Sequence, residues 1–138
     1  MGFFDRFRKK KVEAEEETAE QKERIEEMTD LEKICMGDRE VYEALSRTMF
    51  LDPRNIEVSM KDSEKKADEF EKKGDKLRAR TWYETAGRLA IYEGDVKRVK
   101  EYFSKCAELS SESDYPILKN PEKAVSKAQE YYKKHLKE

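Results

Sequence analysis

The sequence predicts an all-α fold, a short stack of antiparallel helical hairpins with about six helices. Charged residues make up 45% of the 138 residues, while only 5 are glycine and 3 are proline, a composition typical of a helical protein. Gly-Asp dipeptides at positions 37, 74 and 94 separate amphipathic stretches. The stretch that begins at Gly74 recurs 20 residues later at Gly94, and such self-similarity indicates a helical-repeat protein.

The first 11 residues differ from the rest of the chain and form a separate segment. Their aromatic and basic members are Phe3, Phe4, Phe7, Arg8, Lys9, Lys10 and Lys11. Aromatic rings beside a cationic run favour a short helix at an anionic membrane surface. Two other interpretations stay open, namely that the phenylalanines fold back onto the helical body, or that the segment is a disordered tail.

Residues 12–29 are rich in glutamate, which predicts a charged linker or an exposed helix. The helical domain is expected to span residues 30–138. Apolar residues at Leu31 and Ile34 continue a helix toward Met36, and Gly37 with Asp38 ends it and caps the next helix.

Helix-breaking residues in the sequence set the predicted ends of the next two helices. One helix is predicted from Arg39 to about Leu51, because the proline of Asp52-Pro53 disfavours helical geometry in the residue before it. The next is predicted from about Ile56 to Lys73.

The repeated stretch contains the fourth and fifth helices. Its structural positions are Gly74, Trp82, Tyr83, Gly87, Gly94 and Phe103. The fourth helix is apolar on two sides, since Trp82 and Leu89 lie apart from its main apolar face, so we expect it to be central.

A loop and a final helix follow the repeat. Residues 110–119 have a loop composition broken by Pro116. Asn120 is a good N-cap and Pro121 suits the first helical position. A helix from there to about Leu136 is expected to cap the open end of the stack.

These motifs resemble the tetratricopeptide-repeat superfamily, over residues 37–110, through Tyr83, Gly87, Gly94 and Phe103. The Gly-Asp pattern with long helices also looks like the soluble NSF attachment proteins. The resemblance implies a protein–protein interaction adaptor or scaffold that holds a protein or peptide in a groove. It makes Arg80 and Arg88 candidates for gripping a partner's carboxylate, while solvated charges on an exposed helix are the alternative.

Other functions have weaker support in the residues. A net charge of −2 argues against nucleic acid, although Lys97, Arg98, Lys100 and Lys105 form a basic face that keeps it as the alternative function. A second copy of the chain, meeting this one through Trp82 and Leu89, is a further candidate partner. The absence of an apolar run long enough to span a bilayer favours a cytoplasmic protein, peripheral to the inner membrane face if anchored.

Catalysis has no recognisable constellation in this sequence. We expect no enzyme activity, no catalytic residue, no cofactor and no metal, because His135 is the single histidine and no phosphate loop occurs. Cys35 and Cys106 are expected to be small core residues in a reducing compartment. The thermophile-like composition, rich in Lys and Glu, leaves a disulfide between them as an alternative.

Overall fold

A computed structural model of the chain describes residues 30–136. Within this range, helices are the only regular secondary structure, which confirms the predicted all-α class. Residues 30–34 are helical and pack onto the body through Leu31, which is fully buried. The helices that follow are α1 (Arg39–Thr48), α2 (Met60–Lys72), α3 (Lys76–Glu93), α4 (Val96–Leu109) and α5 (Pro121–His135).

The Gly-Asp breaks share one local structure. Gly37, Gly74 and Gly94 have φ values of 79°, 80° and 75°, in the left-handed region that suits glycine. At each break the side chain of the following aspartate accepts a hydrogen bond from the backbone N–H three residues ahead, and so caps the next helix. At all three Gly-Asp pairs, therefore, the glycine ends one helix and the aspartate caps the next, as expected at Gly37 and Asp38.

Some element boundaries differ from the sequence prediction. α1 ends at Thr48 rather than near Leu51, because Met49 already has an extended backbone. α2 begins at Met60 rather than near Ile56, because Pro53–Asn55 forms a 3-10 turn and Ser59 supplies the N-cap. A second 3-10 turn, Pro116–Lys119, lies in the stretch predicted as loop.

α3 is the central helix, as its two apolar sides predicted, because it packs against α1, α2, α4 and α5. The small residues Ala79, Ala86 and Ala90 are fully buried and let the neighbouring helices approach. The closest approach is at Gly87, where a Cβ atom would lie 2.7 Å from Cε2 of Phe103 on α4. Gly87 is thus the point of close helix–helix contact that the repeat predicted.

α5 packs across α1, α3 and α4. Its Gln129 amide donates hydrogen bonds to the carbonyl oxygens of Ile91 (2.7 Å) and Tyr92 (2.8 Å) in the last turn of α3, where Ile91 also accepts the backbone N–H of Gly94. Its Tyr132 hydroxyl donates to the carbonyl oxygen of Phe50 at 2.6 Å. These bonds join the last helix to the middle of the chain.

Candidate functional site

The arginines that the sequence singled out lie together on α3. Arg80, Glu84 and Arg88 follow one another at intervals of four residues, so their side chains meet along one side of the helix. This side of α3 is turned toward the loop that follows α4. We call these three residues the arginine pair and its glutamate.

Arg80 is held against the loop after α4. Its Nη1 donates a hydrogen bond of 2.9 Å to Oγ of Ser113, and Ser113 also accepts a 3.0 Å hydrogen bond from the hydroxyl of Ser110. Its Nε lies 3.8 Å from Oε1 of Glu84, which is beyond hydrogen-bond length. Arg80 is therefore oriented by a neutral hydroxyl more closely than by a carboxylate.

Glu84 has a stronger partner than either arginine. Its Oε1 accepts a 2.6 Å hydrogen bond from the hydroxyl of Tyr115. Burial and this bond to a carboxylate both raise the pKa of Tyr115, so the phenol stays protonated and remains a donor. Nη2 of Arg88 lies 4.0 Å from Glu84, and the guanidinium stacks over Phe50 at 5.2 Å from the ring centroid.

The positive charge of the arginine pair is only partly balanced by the neighbouring carboxylate of Glu84. The side chains of Arg80 and Arg88 are 26% and 32% exposed, so neither is a fully solvated surface charge. The Nε atoms of both are buried and have no hydrogen-bond acceptor among the described residues. Two guanidinium groups with one shared carboxylate form a site suited to a carboxylate or a phosphate from another molecule.

Three of the four cations on the basic face proposed for nucleic acid form ion pairs within the fold. Arg98 pairs with Glu64 at 3.2 Å, Lys100 with Glu122 at 2.8 Å, and Lys105 with Glu71 at 3.6 Å. These pairs were not anticipated because their carboxylates come from α2 and α5, which are distant in sequence.

The aromatic residues of that face are also committed to packing. Tyr102 is 2% exposed and Phe103 is fully buried, so neither ring is free to stack on a base. The Tyr102 hydroxyl donates a 2.8 Å hydrogen bond to Glu64, and burial and that bond raise its pKa to about 12. The face thus joins α4 to its neighbours, and its charges are mostly matched.

The second apolar side of α3 is used inside the chain. Leu89 is 8% exposed, and Trp82 packs against the core with the Lys66 ammonium 4.5 Å from its ring centroid. Both side chains thus contribute to packing within the chain, and contact between two copies through Trp82 and Leu89 stays a prediction.

Cys35 and Cys106 are free and buried, so the alternative of a disulfide between them is wrong in this structure. Burial raises the pKa of the Cys106 thiol to about 12, which keeps it protonated and unreactive.

His135 lies at the end of α5, with its ring 4.5 Å from that of Tyr131 and its Nε2 3.6 Å from a carboxylate oxygen of Asp30. Residues 30–136 contain no group of three His, Cys, Asp or Glu side chains arranged to hold a metal ion.

The predicted anchor, from Phe3 to Lys11, lies outside the described residues, as does the glutamate-rich stretch after it. Among the helices that the structure describes, none has the length and apolar character needed to cross a bilayer.

Comparisons with protein-family models, curated proteins and solved structures gave no match to this chain. The tetratricopeptide resemblance therefore stays a prediction, and the candidate site depends on its own geometry.

Sequence reasoning found the two arginines but missed the residues around them. Glu84 could have been found, because it lies four residues from each arginine on a predicted helix. Ser113 and Tyr115 carried no comparable signal, since they are 33 and 31 residues from their partners and lie in a stretch without periodicity.

Proposed function

We propose that this protein is a non-catalytic interaction module, an adaptor or scaffold, that binds an acidic segment of a protein partner at the arginine pair. The observation that supports it is the partial burial of Arg80 and Arg88 around one carboxylate that neither reaches at hydrogen-bond distance. A carboxylate group from a partner would form charge-assisted hydrogen bonds with the terminal nitrogens of these guanidinium groups.

The placement of the pair favours binding over a purely structural role. The Tyr115 hydroxyl donates to Glu84 at 2.6 Å, so Glu84 keeps this hydrogen bond when an incoming carboxylate binds the arginines. The stacking of Arg88 on Phe50 holds that guanidinium in position before a ligand arrives. A side chain that is already ordered loses less conformational entropy on binding.

The test is binding of a fluorescein-labelled hexaglutamate peptide, measured by fluorescence polarisation at low salt. Replacing Arg80 and Arg88 by glutamine should weaken binding about 10- to 100-fold, since a hydrogen bond to a charged group contributes about 1.5–3 kcal/mol. Arg78→Gln is the matched control, because Arg78 lies on the same helix with a side chain that is 70% exposed. Equal affinity of the double variant and the control would refute the site.

We further propose that residues 1–11 tether this module to the inner surface of the cytoplasmic membrane. The support is the sequence of Phe3, Phe4 and Phe7 followed by the basic run from Arg8 to Lys11. The test is co-sedimentation with vesicles containing phosphatidylserine, comparing the full chain with one that lacks residues 1–11. If both remain in the supernatant, the tether does not exist.

Nucleic-acid binding through Lys97 to Lys105 is the rival function, and the ion pairs of that face disfavour it. It predicts salt-sensitive retention of RNA or DNA, since phosphate contacts release counterions. Retention at about 50 mM salt that disappears at higher salt would favour this rival over the adaptor.

A further inference from the structure

The loop between α4 and the second 3-10 turn carries a serine-rich, acidic sequence beside Arg80. Ser110 leaves the helix with an extended backbone, and Ser111, Glu112 and Asp114 are exposed. Ser113 is half-buried, and its hydroxyl oxygen is the atom that Arg80 contacts. The loop thus presents hydroxyl groups to solvent while one of them touches a guanidinium group.

Arg80 is arranged to receive more negative charge than the serine hydroxyl carries. Its Nη1 is 2.9 Å from Ser113 Oγ, whereas its Nε is buried with no hydrogen-bond acceptor. The carboxylate of Glu84 is 3.8 Å from that Nε and is held by Tyr115. Breaking so long an ion pair costs little, so Arg80 can turn wholly toward the loop.

We propose that Ser113 is a phosphorylation site and that Arg80 is the built-in receptor for its phosphate. A protein kinase would supply the group from a nucleoside triphosphate. The Ser113 oxygen forms a bond to the γ-phosphorus, the bond from that phosphorus to the bridging β–γ oxygen breaks, and the nucleoside diphosphate leaves with the electron pair. The hydroxyl proton passes to a base of the kinase.

A phosphate on Ser113 would lie between the guanidinium group of Arg80 and solvent. Phosphoserine carries a charge of about −1.5 to −2 and three acceptor oxygens, and beside an arginine it forms charge-assisted hydrogen bonds that order a loop. The acidic neighbours Glu112 and Asp114 are exposed, so solvent screens their repulsion. Glu84 retains Tyr115 and the second arginine, Arg88, after Arg80 has turned away.

The modification would also regulate the site, a consequence that rests on the proposed function. A phosphate on Ser113 occupies Arg80 from within the same chain, at an effective concentration that a free peptide cannot match. An acidic partner would then have only Arg88 to bind. Phosphorylated protein is therefore expected to bind hexaglutamate at least about 10-fold more weakly than unmodified protein.

The first experiment tests the receptor without any partner. Phosphoserine is incorporated into the full chain at position 113, or as a matched control at position 111, which lies in the same loop and is exposed. We expect phosphoserine at 113 to raise Tm by about 4 °C or more relative to phosphoserine at 111. Its ³¹P resonance should titrate with a midpoint at lower pH, because a nearby guanidinium favours the dianion.

The Arg80→Gln variant should abolish both differences, whereas Arg78→Gln should leave them. Equal Tm and equal midpoints for the two positions would overturn the receptor, and so would differences that persist in Arg80→Gln. Protein recovered from its own cells should carry phosphate on Ser113 by mass spectrometry, and an unmodified Ser113 throughout growth and starvation would overturn the modification site.

The hexaglutamate assay separates this inference from the proposed function. If phosphoserine at 113 shifts Tm and the midpoint but unmodified protein does not bind the peptide, the receptor stands and the partner site falls. If unmodified protein binds the peptide but the phosphate has no effect on Tm or titration, the partner site stands and the receptor is refuted.

Discussion

Replacing Gly87 by alanine is expected to destabilise this protein, although the same change in an ordinary helix is stabilising. Gly87 lies in the interior of α3, where alanine has a helix propensity better by about 1 kcal/mol. An added Cβ would lie 2.7 Å from Cε2 and 2.8 Å from Cζ of Phe103. The sign of the effect therefore depends on whether that ring can move.

The geometry indicates that the ring cannot move freely. It must retreat about 0.7 Å to reach a van der Waals distance of 3.4 Å. Phe103 is fully buried, and its ring lies 5.8 Å from that of Tyr115. Overpacking of this kind costs about 1–3 kcal/mol. After the propensity gain is subtracted, we expect a net loss of about 1 kcal/mol in the free energy of unfolding.

The assay is a double-mutant cycle by urea unfolding with Gly87→Ala, Phe103→Leu and the pair together. Leucine lacks the Cε2 and Cζ atoms of Phe103, so it removes their clash with the added Cβ. The cost of Phe103→Leu itself is common to both variants that carry it and cancels in the cycle. In that background Gly87→Ala should be stabilising by up to about 1 kcal/mol. The coupling energy should then be about 2 kcal/mol, within the range for residues in contact.

The sign change is the critical result. If Gly87→Ala raises stability equally in both backgrounds, the two helices do not meet at this position and the structural assignment of the repeat fails. A loss of equal size in both backgrounds would place the strain elsewhere on α3. Either outcome would refute the argument from the Gly87–Phe103 contact.

Three further predictions concern α5, a core thiol and a buried phenol. Gln129→Ala should cost about 1 kcal/mol in urea unfolding, because the Tyr92 carbonyl loses its side-chain donor while the Ile91 carbonyl keeps the Gly94 N–H, whereas Ser126→Ala on the exposed face should be neutral. Cys106, with its pKa raised to about 12, should resist iodoacetamide at pH 8 in native protein, and rapid labelling seen by mass spectrometry would contradict its burial. The pKa of Tyr102 is about 12 in the folded state against about 10 unfolded, so its contribution to stability is present below pH 10 and lost as pH rises to 12. Tyr102→Phe should reduce this alkaline loss, and unchanged stability of the native chain from pH 10 to 12 would count against it.

Local signals in the sequence were reliable where the physics is local. The Gly-Asp breaks predicted positive φ at Gly37 and a cap at Asp38, and both occur, because left-handed backbone and N-capping depend on adjacent residues. The start of the last helix at Pro121 followed from the cap at Asn120 for the same reason. Helix ends were less accurate where a 3-10 turn intervened, as before Met60.

The candidate site was only half visible in the sequence. Arg80 and Arg88 stood out on a helix, but their partial burial beside Glu84 was not visible in the sequence. The basic face from Lys97 to Lys105 looked open for the opposite reason, since its carboxylate partners lie far away along the chain. Pairing between distant side chains has no periodicity that a sequence shows.

The sequence by itself determined the all-α class, the three glycine-aspartate stops and the central position of α3, because these depend on backbone preference and on which side chains avoid water. Only the tertiary structure decided which charges are matched and which are in excess. It brought Ser113 and Tyr115 to α3, paired Arg98 with Glu64, and left the guanidinium groups of Arg80 and Arg88 with one carboxylate between them. Electrostatic matching acts through space over a few ångströms, so it is settled by how the helices pack and not by the order of residues along them.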